Sequence, residues 1–218
     1  MHLGDTQHQK LVRESIKFLG LSIRKSDFTS IIISPCLNLI KDHLLQQLFL
    51  TDQHINDFTE NPIEFFNQMR SEHDDVDTVR NCILDFINLV SHYRDPVSGT
   101  LACMQDLFSF CLEHLNSKFE DPRICYKLKD VLLLFFSCLS STVVATDFRI
   151  EECHKMFELL SAFLLKNKYD IQTQILKYRI LSLFEEFWFL EMSKKTTENL
   201  IQYYNPRDNS EEGKILKY

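Results

Sequence analysis

Residues 104–115 read MQDLFSFCLEHL, and within them Met104, Leu107, Phe108, Cys111, Leu112 and Leu115 recur at the i, i+3, i+4, i+7 spacing that gathers side chains on one face of an α-helix. A half-buried strand would alternate apolar and polar residues, and no segment of the chain does so cleanly. The helical spacing returns at Leu176, Ile180, Leu183, Phe184 and Phe187, and more briefly at Ile83, Phe86, Ile87 and Val90. Working outward, Ser34-Pro35, Asp77-Thr78, Asp95-Pro96 and Asp121-Pro122 have the form of helix starts, where a side chain satisfies an orphan N–H or proline needs none. The predicted helices lie near 6–24, 35–49, 77–93, 96–117, 123–141, 149–165 and 171–192, with a weaker one near 195–204. The fold class is all-α.

Composition agrees. The 218 residues are 44% apolar and 25% charged, the balance of a chain that buries a core. Four glycines and five prolines leave little material for turn-rich β folds. A formal charge of −7 argues against a nucleic-acid partner, which calls for a basic face. The longest uncharged stretch, Val131 to Thr146, has sixteen residues and is broken by serines, short of the ~20 that span a bilayer, so it reads as a buried helix without membrane insertion. Met1 to Asp5 lacks the basic-then-apolar layout of a secretory signal, which predicts folding in a reducing compartment. The seven cysteines are odd in number and contain no C-x-x-C pair, so buried free thiols are expected.

Short loops between the helices make neighbours antiparallel. The pairs run over about 28–93, 96–141 and 149–191, two of them near the forty-odd residues of HEAT-type helical repeats, with an unpaired helix at each end. Weak internal similarity leaves a compact bundle as a competitor on periodicity alone. The end helices expose Leu11, Ile16, Leu19, Leu200 and Ile201 with nothing to cap them, as in a slice of a longer array. The expected domain is a repeat array over 1–204 followed by a frayed tail over 205–218. Inside the array, residues 50–76 form a long polar connection holding one short helix after Asn61-Pro62. Between Thr51 and Arg80 eight carboxylates (Asp52, Asp57, Glu60, Glu64, Glu72, Asp74, Asp75, Asp77) face only Arg70 and Arg80, a local charge of −6.

Catalytic chemistry finds little footing. The sequence has no glycine-rich phosphate loop, G-x-S-x-G, H-E-x-x-H or EF-hand loop, and nothing calls for a cofactor. Cys111 and His114 are three apart on a helix, yet Cys111 belongs to the apolar stripe, so a core thiol beside a solvent-facing histidine is preferred to a zinc pair. His73, Asp74, Asp75 and Asp77 lack calcium-loop spacing and read as a solvated loop capping a helix. Glu185 and Glu186 point about 100° apart and suit an exposed flank better than acid–base work. Lys127, Lys129 and Asp130 open one helix and Lys177, Tyr178 and Arg179 another. Basic residues there oppose the helix dipole, so a carboxylate on a neighbouring repeat, or on a bound protein, should offset them.

Six stretches, in order from about residue 11 to 192, resemble the central repeats of the importin-β superfamily of nuclear transport receptors, most closely the importin-α re-exporters. Leu11 to Arg24 (LVRESIKFLGLSIR), followed by Asp27-Phe28, resembles the helix before that family's hinge repeat. Phe58 to Phe66 (FTENPIEFF) resembles its F-E-D-N-P-x-E-Y-I loop, and Asp74 to Asp85 (DDVDTVRNCILD) its D-x-D-T helix start. Pro96 to Gly99 (PVSG) resembles its P-V-T-G, Tyr126 to Asp130 (YKLKD) its W-K-x-K-D, and Leu176 to Phe184 its L-K-x-D-x-I-K-Y-x-x-x-F. The chain departs from the pattern where Val79, Asn81 and Cys82 leave Arg80 alone in place of a basic run, and where Tyr126 replaces tryptophan.

The resemblance implies a HEAT solenoid without enzymatic activity that binds Ran-GTP and importin-α and shuttles between nucleus and cytoplasm. It implies a hinge over residues 50–76, with Glu60, Asn61, Pro62, Glu64, Asp74, Asp75, Asp77 and Arg80 near Ran, and inner-helix contacts at Lys127, Lys129, Asp130 and Lys177. A generic HEAT scaffold, or an importin of the group that carries ribosomal proteins and histones, fits the same stretches less fully.

Overall fold

The computed structural model describes residues 3–24, 26–65, 78–95, 99–144, 149–166, 168–187 and 192–204, and it is helical throughout, with no strand among the described residues. In chain order the helices are α1 (Leu3–Ile23), α2 (Ser26–Leu39), α3 (Leu45–Gln47), α4 (Asp52–Glu60), α5 (Val79–Ser91), α6 (Ala102–Lys118), α7 (Tyr126–Val144), α8 (Ile150–Leu164), α9 (Ile171–Glu186) and α10 (Lys194–Tyr204). A π-helical turn over Ile40–Leu44 joins α2 to α3. The tail over 205–218 lies outside the described residues.

Packing sorts the long helices into two layers. In one, α1 packs on α5, α5 on α7 and α7 on α9; in the other, α2 packs on α6, α6 on α8 and α8 on α10. Sequence neighbours α1 and α2, α5 and α6, α6 and α7, and α8 and α9 join the layers. The long helices therefore meet their second neighbours sideways and most of their next neighbours across the layers, which is the connectivity of a stacked helical repeat. The end helices α1 and α10 share no packed interface among the described residues.

Phenylalanines fill the space between layers. Phe136 on α7 stacks on Phe108 of α6 and on Phe187 at the end of α9, each with ring centroids 5.1 Å apart, while Phe157 of α8 meets Phe187 at 5.2 Å. All four rings are fully buried, and offset or edge contacts of this kind add about 0.5–1.5 kcal/mol per pair beyond the area they bury. The uncharged run from Val131 to Phe136 is buried for the same reason.

Two helix starts and the exposure of the end helices differ from expectation. Helix α2 begins at Ser26 and runs through Pro35, so Pro35 is an interior residue and not a start. Proline there has no N–H to give to the preceding turn. The helix from Asp95-Pro96 is corrected to begin at Ala102, because Gly99 sits at φ +68° and donates its N–H to the Asp95 carbonyl at 2.8 Å, a left-handed turn that cannot be helix. Of the end residues expected in solvent, Leu11 and Ile201 are exposed, but Ile16 is buried and Leu19 and Leu200 pack against the core. Phe18 and Leu21 are exposed on α1 instead.

Candidate partner-binding site

The connection expected to be mostly loop carries a helix ahead of Asn61. Thr51 begins it with a reciprocal cap: its hydroxyl accepts from the His54 N–H at 3.2 Å, and its own N–H donates to His54 Nδ1 at 3.1 Å. Helix α4 ends at Glu60. Asn61 then starts the expected helical turn over 62–65, its Oδ1 accepting from the Glu64 N–H at 3.2 Å, with Pro62 in the first position where no N–H is needed.

This segment, residues 50–65, docks far along the chain. Leu50, Phe58 and Phe65 form a small buried cluster with Ile175 of α9, flanked by Ile55, Tyr126 and Tyr178. Phe58 and Phe65 meet edge to face at 5.9 Å. At the rim, Lys127 Nζ lies 3.5 Å from Asp52, whose side chain is fully exposed. The segment is thus a strap from the end of α3 to the first turns of α7 and α9.

Of the residues expected near a partner, Glu60, Asn61, Pro62 and Glu64 are exposed on the strap. Asp74, Asp75 and Asp77 lie outside the described residues. Arg80 is half-buried and donates to the Leu48 carbonyl at 2.5 Å, anchoring the base of the strap.

Three of the four residues expected at inner-helix contacts are engaged inside the chain. Asp130 is fully buried and accepts from Arg179 Nε at 2.8 Å, so the α7 carboxylate meets the α9 guanidinium as an inter-repeat ion pair. Lys177 is buried, with its ammonium 5.7 Å from the centre of the Tyr203 ring. Lys129 donates to the Asp121 carbonyl at 2.8 Å and stands over Phe119; burial holds its pKa below the ordinary lysine value, with Asp121 opposing. Lys127 keeps partial exposure.

Cys111 is fully buried and donates to the Leu132 carbonyl, while His114 bonds the Phe110 carbonyl one turn back at 2.9 Å. All seven cysteines are free thiols. Burial pushes Cys138 and Cys153 up to about 12 and Cys103 to about 11. Among the described residues no group of three or more His, Cys, Asp or Glu is placed to hold a metal ion, and no helix is long and apolar enough to cross a membrane.

Sequence reasoning missed the strap's anchors. The signal was present in Thr51 and His54 as a capping pair and in Ile55 and Phe58 at helical spacing, but the surrounding acidic residues outweighed it. No protein-family model, curated protein or solved structure matches this chain.

Proposed function

We propose that this chain is a protein-binding stretch of helical repeats in a Ran-dependent nuclear export receptor, which engages Ran in its GTP form with importin-α as cargo, moves between nucleus and cytoplasm, and performs no catalysis. One observation carries the reading: separate stretches that resemble the receptor family meet in space. Phe58 and Phe65, from FTENPIEFF, pack on Ile175, which adjoins the Leu176 to Phe184 stretch. Asp130, the last residue of YKLKD, pairs with Arg179 inside that same stretch. Arg80, from DDVDTVRNCILD, holds the Leu48 carbonyl at the base of the strap. Segments that depend on one another physically have a reason to occur together in one sequence.

On this reading the exposed strap residues Glu60, Asn61, Pro62 and Glu64 contact Ran, joined by Asp74, Asp75 and Asp77, and the acidic balance of the segment suits a basic partner surface. Asp130, Lys129 and Lys177 support the stack from inside. A helical-repeat scaffold of another assembly is the second reading, favoured by the two-layer stack taken alone.

Pull-down on immobilised Ran separates the two. The transport reading expects retention with a non-hydrolysable GTP analogue, little with GDP, and weaker, more salt-sensitive retention after Glu60→Gln and Glu64→Gln with Asp74, Asp75 and Asp77 replaced by Asn. Equal retention in both nucleotide states, or none, refutes it and leaves the scaffold.

A further inference from the structure

Helices α5, α7 and α9, consecutive in one layer, share a groove of about 280 Å3. Helix α5 contributes Leu84, Asp85 and Asn88, α7 contributes Leu134 and Ser137, and α9 contributes Glu186. Leu84 and Leu134 are buried, whereas Asp85, Asn88 and Glu186 are exposed. The groove therefore combines an apolar bed with two carboxylates, an amide and a hydroxyl.

Several acidic side chains of the stack pair with a cation on another element: Asp106 with Lys41, Glu120 with Lys166, Asp130 with Arg179 and Glu158 with Lys195. Asp85 and Glu186 make no hydrogen bond or ion pair among the described residues. Two cations act on Cys138, which also lines the groove, and both are engaged elsewhere, Arg80 by the Leu48 carbonyl and Arg179 by Asp130. The Cys138 thiol stays protonated at neutral pH, so it offers no thiolate to a metal or an electrophile.

Size and chemistry narrow the occupant. The volume is at or below the low end of the roughly 300–1,000 Å3 of small-molecule pockets, and fits one long side chain better than a cofactor. A basic side chain lays its aliphatic stem on apolar surface while its head stays at the polar edge. Between the two basic types, only arginine presents five donors in a planar fork suited to carboxylates.

We propose that the α5/α7/α9 groove docks a single arginine side chain from an extended basic segment of a partner protein, its stem across Leu84 and Leu134 and its guanidinium held by Asp85 and Glu186. Asn88 and Ser137 are available to the partner's backbone. The inference rests on the reading of the chain as a protein-binding stack and not on the identity of the receptor.

The test uses the full chain and a fluorescein-labelled peptide, GSGRSGS, followed by fluorescence anisotropy at low salt. Binding should saturate, weaken as salt is raised, and weaken about tenfold or more when Asp85→Asn and Glu186→Gln are combined. Ser137→Trp, which fills the groove and leaves both carboxylates in place, should weaken it as well, with circular dichroism showing the helices intact. A GSGESGS peptide should not bind. No binding of GSGRSGS, equal binding of the glutamate peptide, or full affinity in the carboxylate variant overturns the proposal. Ran retention measured on the same preparations is independent of these outcomes, so failure of the groove and failure of the receptor reading are distinguishable.

Discussion

One turn of α9 supports two unlike contacts. Arg179 points into the stack and meets Asp130 of α7 in a pair shielded from water, whereas Ile175, four residues earlier, meets the strap through Leu50, Phe58 and Phe65. The first contact is continuous with the phenylalanine core; the second is a satellite of four buried residues with an ion pair in solvent at its edge. Regions with few buried apolar contacts open at a fraction of the global unfolding free energy. The stack should therefore unfold as one unit while the strap undocks by itself.

The largest effect is expected where charge is buried. Replacing Asp130 with alanine strands the Arg179 guanidinium and should destabilise the chain by about 3–5 kcal/mol. The pair is imperfect, however: the second carboxylate oxygen of Asp130 and Nη2 of Arg179 make no hydrogen bond to protein. Replacing both, Asp130→Leu with Arg179→Met, should restore most or all of the loss, since apolar residues of similar volume often equal a buried pair. Urea titration of the two variants checks this. A double variant as unstable as the single one would mean that the pair contributes more than it costs to desolvate.

Phe58→Ala comes next and should look different in kind. A fully packed phenylalanine deletion costs about 3–5 kcal/mol, but here the loss is limited by the free energy that docks the strap. Proteolysis within 50–65 should accelerate well over tenfold while the urea midpoint of the stack moves little. If both change together, the strap belongs to the cooperative core and the comparison fails.

Alkaline pH probes the stack through its thiols. Cys138 and Cys153 are raised to about 12 from an ordinary value of 9.0, chiefly by burial. Because the folded chain holds these protons more tightly than the unfolded one, their contribution is fully present below pH 9 and is lost as pH rises toward 12. Thermal midpoints should fall across that window. Alanine at both positions should lower the starting midpoint and flatten the slope, and an unaltered slope would remove thiol burial as the cause. Strap proteolysis should not follow the same pH profile.

How much of this was legible follows from the same contrast. The stripe from Met104 to Leu115 and its counterparts mark the stack because each long helix must bury a face, and periodicity records that directly. The Asp130–Arg179 pair was half legible: basic residues at helix starts called for a carboxylate, but sequence could not say whether it came from a neighbour or a partner. The strap's helix left its capping pair and a short apolar spacing in the sequence, but its docking left no trace, since placing Phe58 and Phe65 on Ile175 depends on a contact more than a hundred residues away in the chain. Pro35 misled for a local reason: proline's preference for helix starts is statistical, and here it lies inside α2 next to buried Cys36. The groove carboxylates Asp85 and Glu186 were visible only as ordinary exposed positions, because sequence does not place α5, α7 and α9 side by side.

The smallest expected effect is the most discriminating for the strap. Lys127 and Asp52 form an ion pair between the strap and the start of α7, at 3.5 Å, and Asp52 is open to solvent on all sides. Exposed pairs of this geometry lose in side-chain ordering most of what they gain in attraction. Lys127→Ala should therefore leave both the urea midpoint and the strap's proteolysis rate unchanged, with no dependence on salt. A clear acceleration of strap cleavage, relieved by lowering the salt in the unaltered chain, would show that charge and not the phenylalanine pair holds the strap down. The acidic residues Glu60 and Glu64 would then become part of its latch as well as of its exposed face.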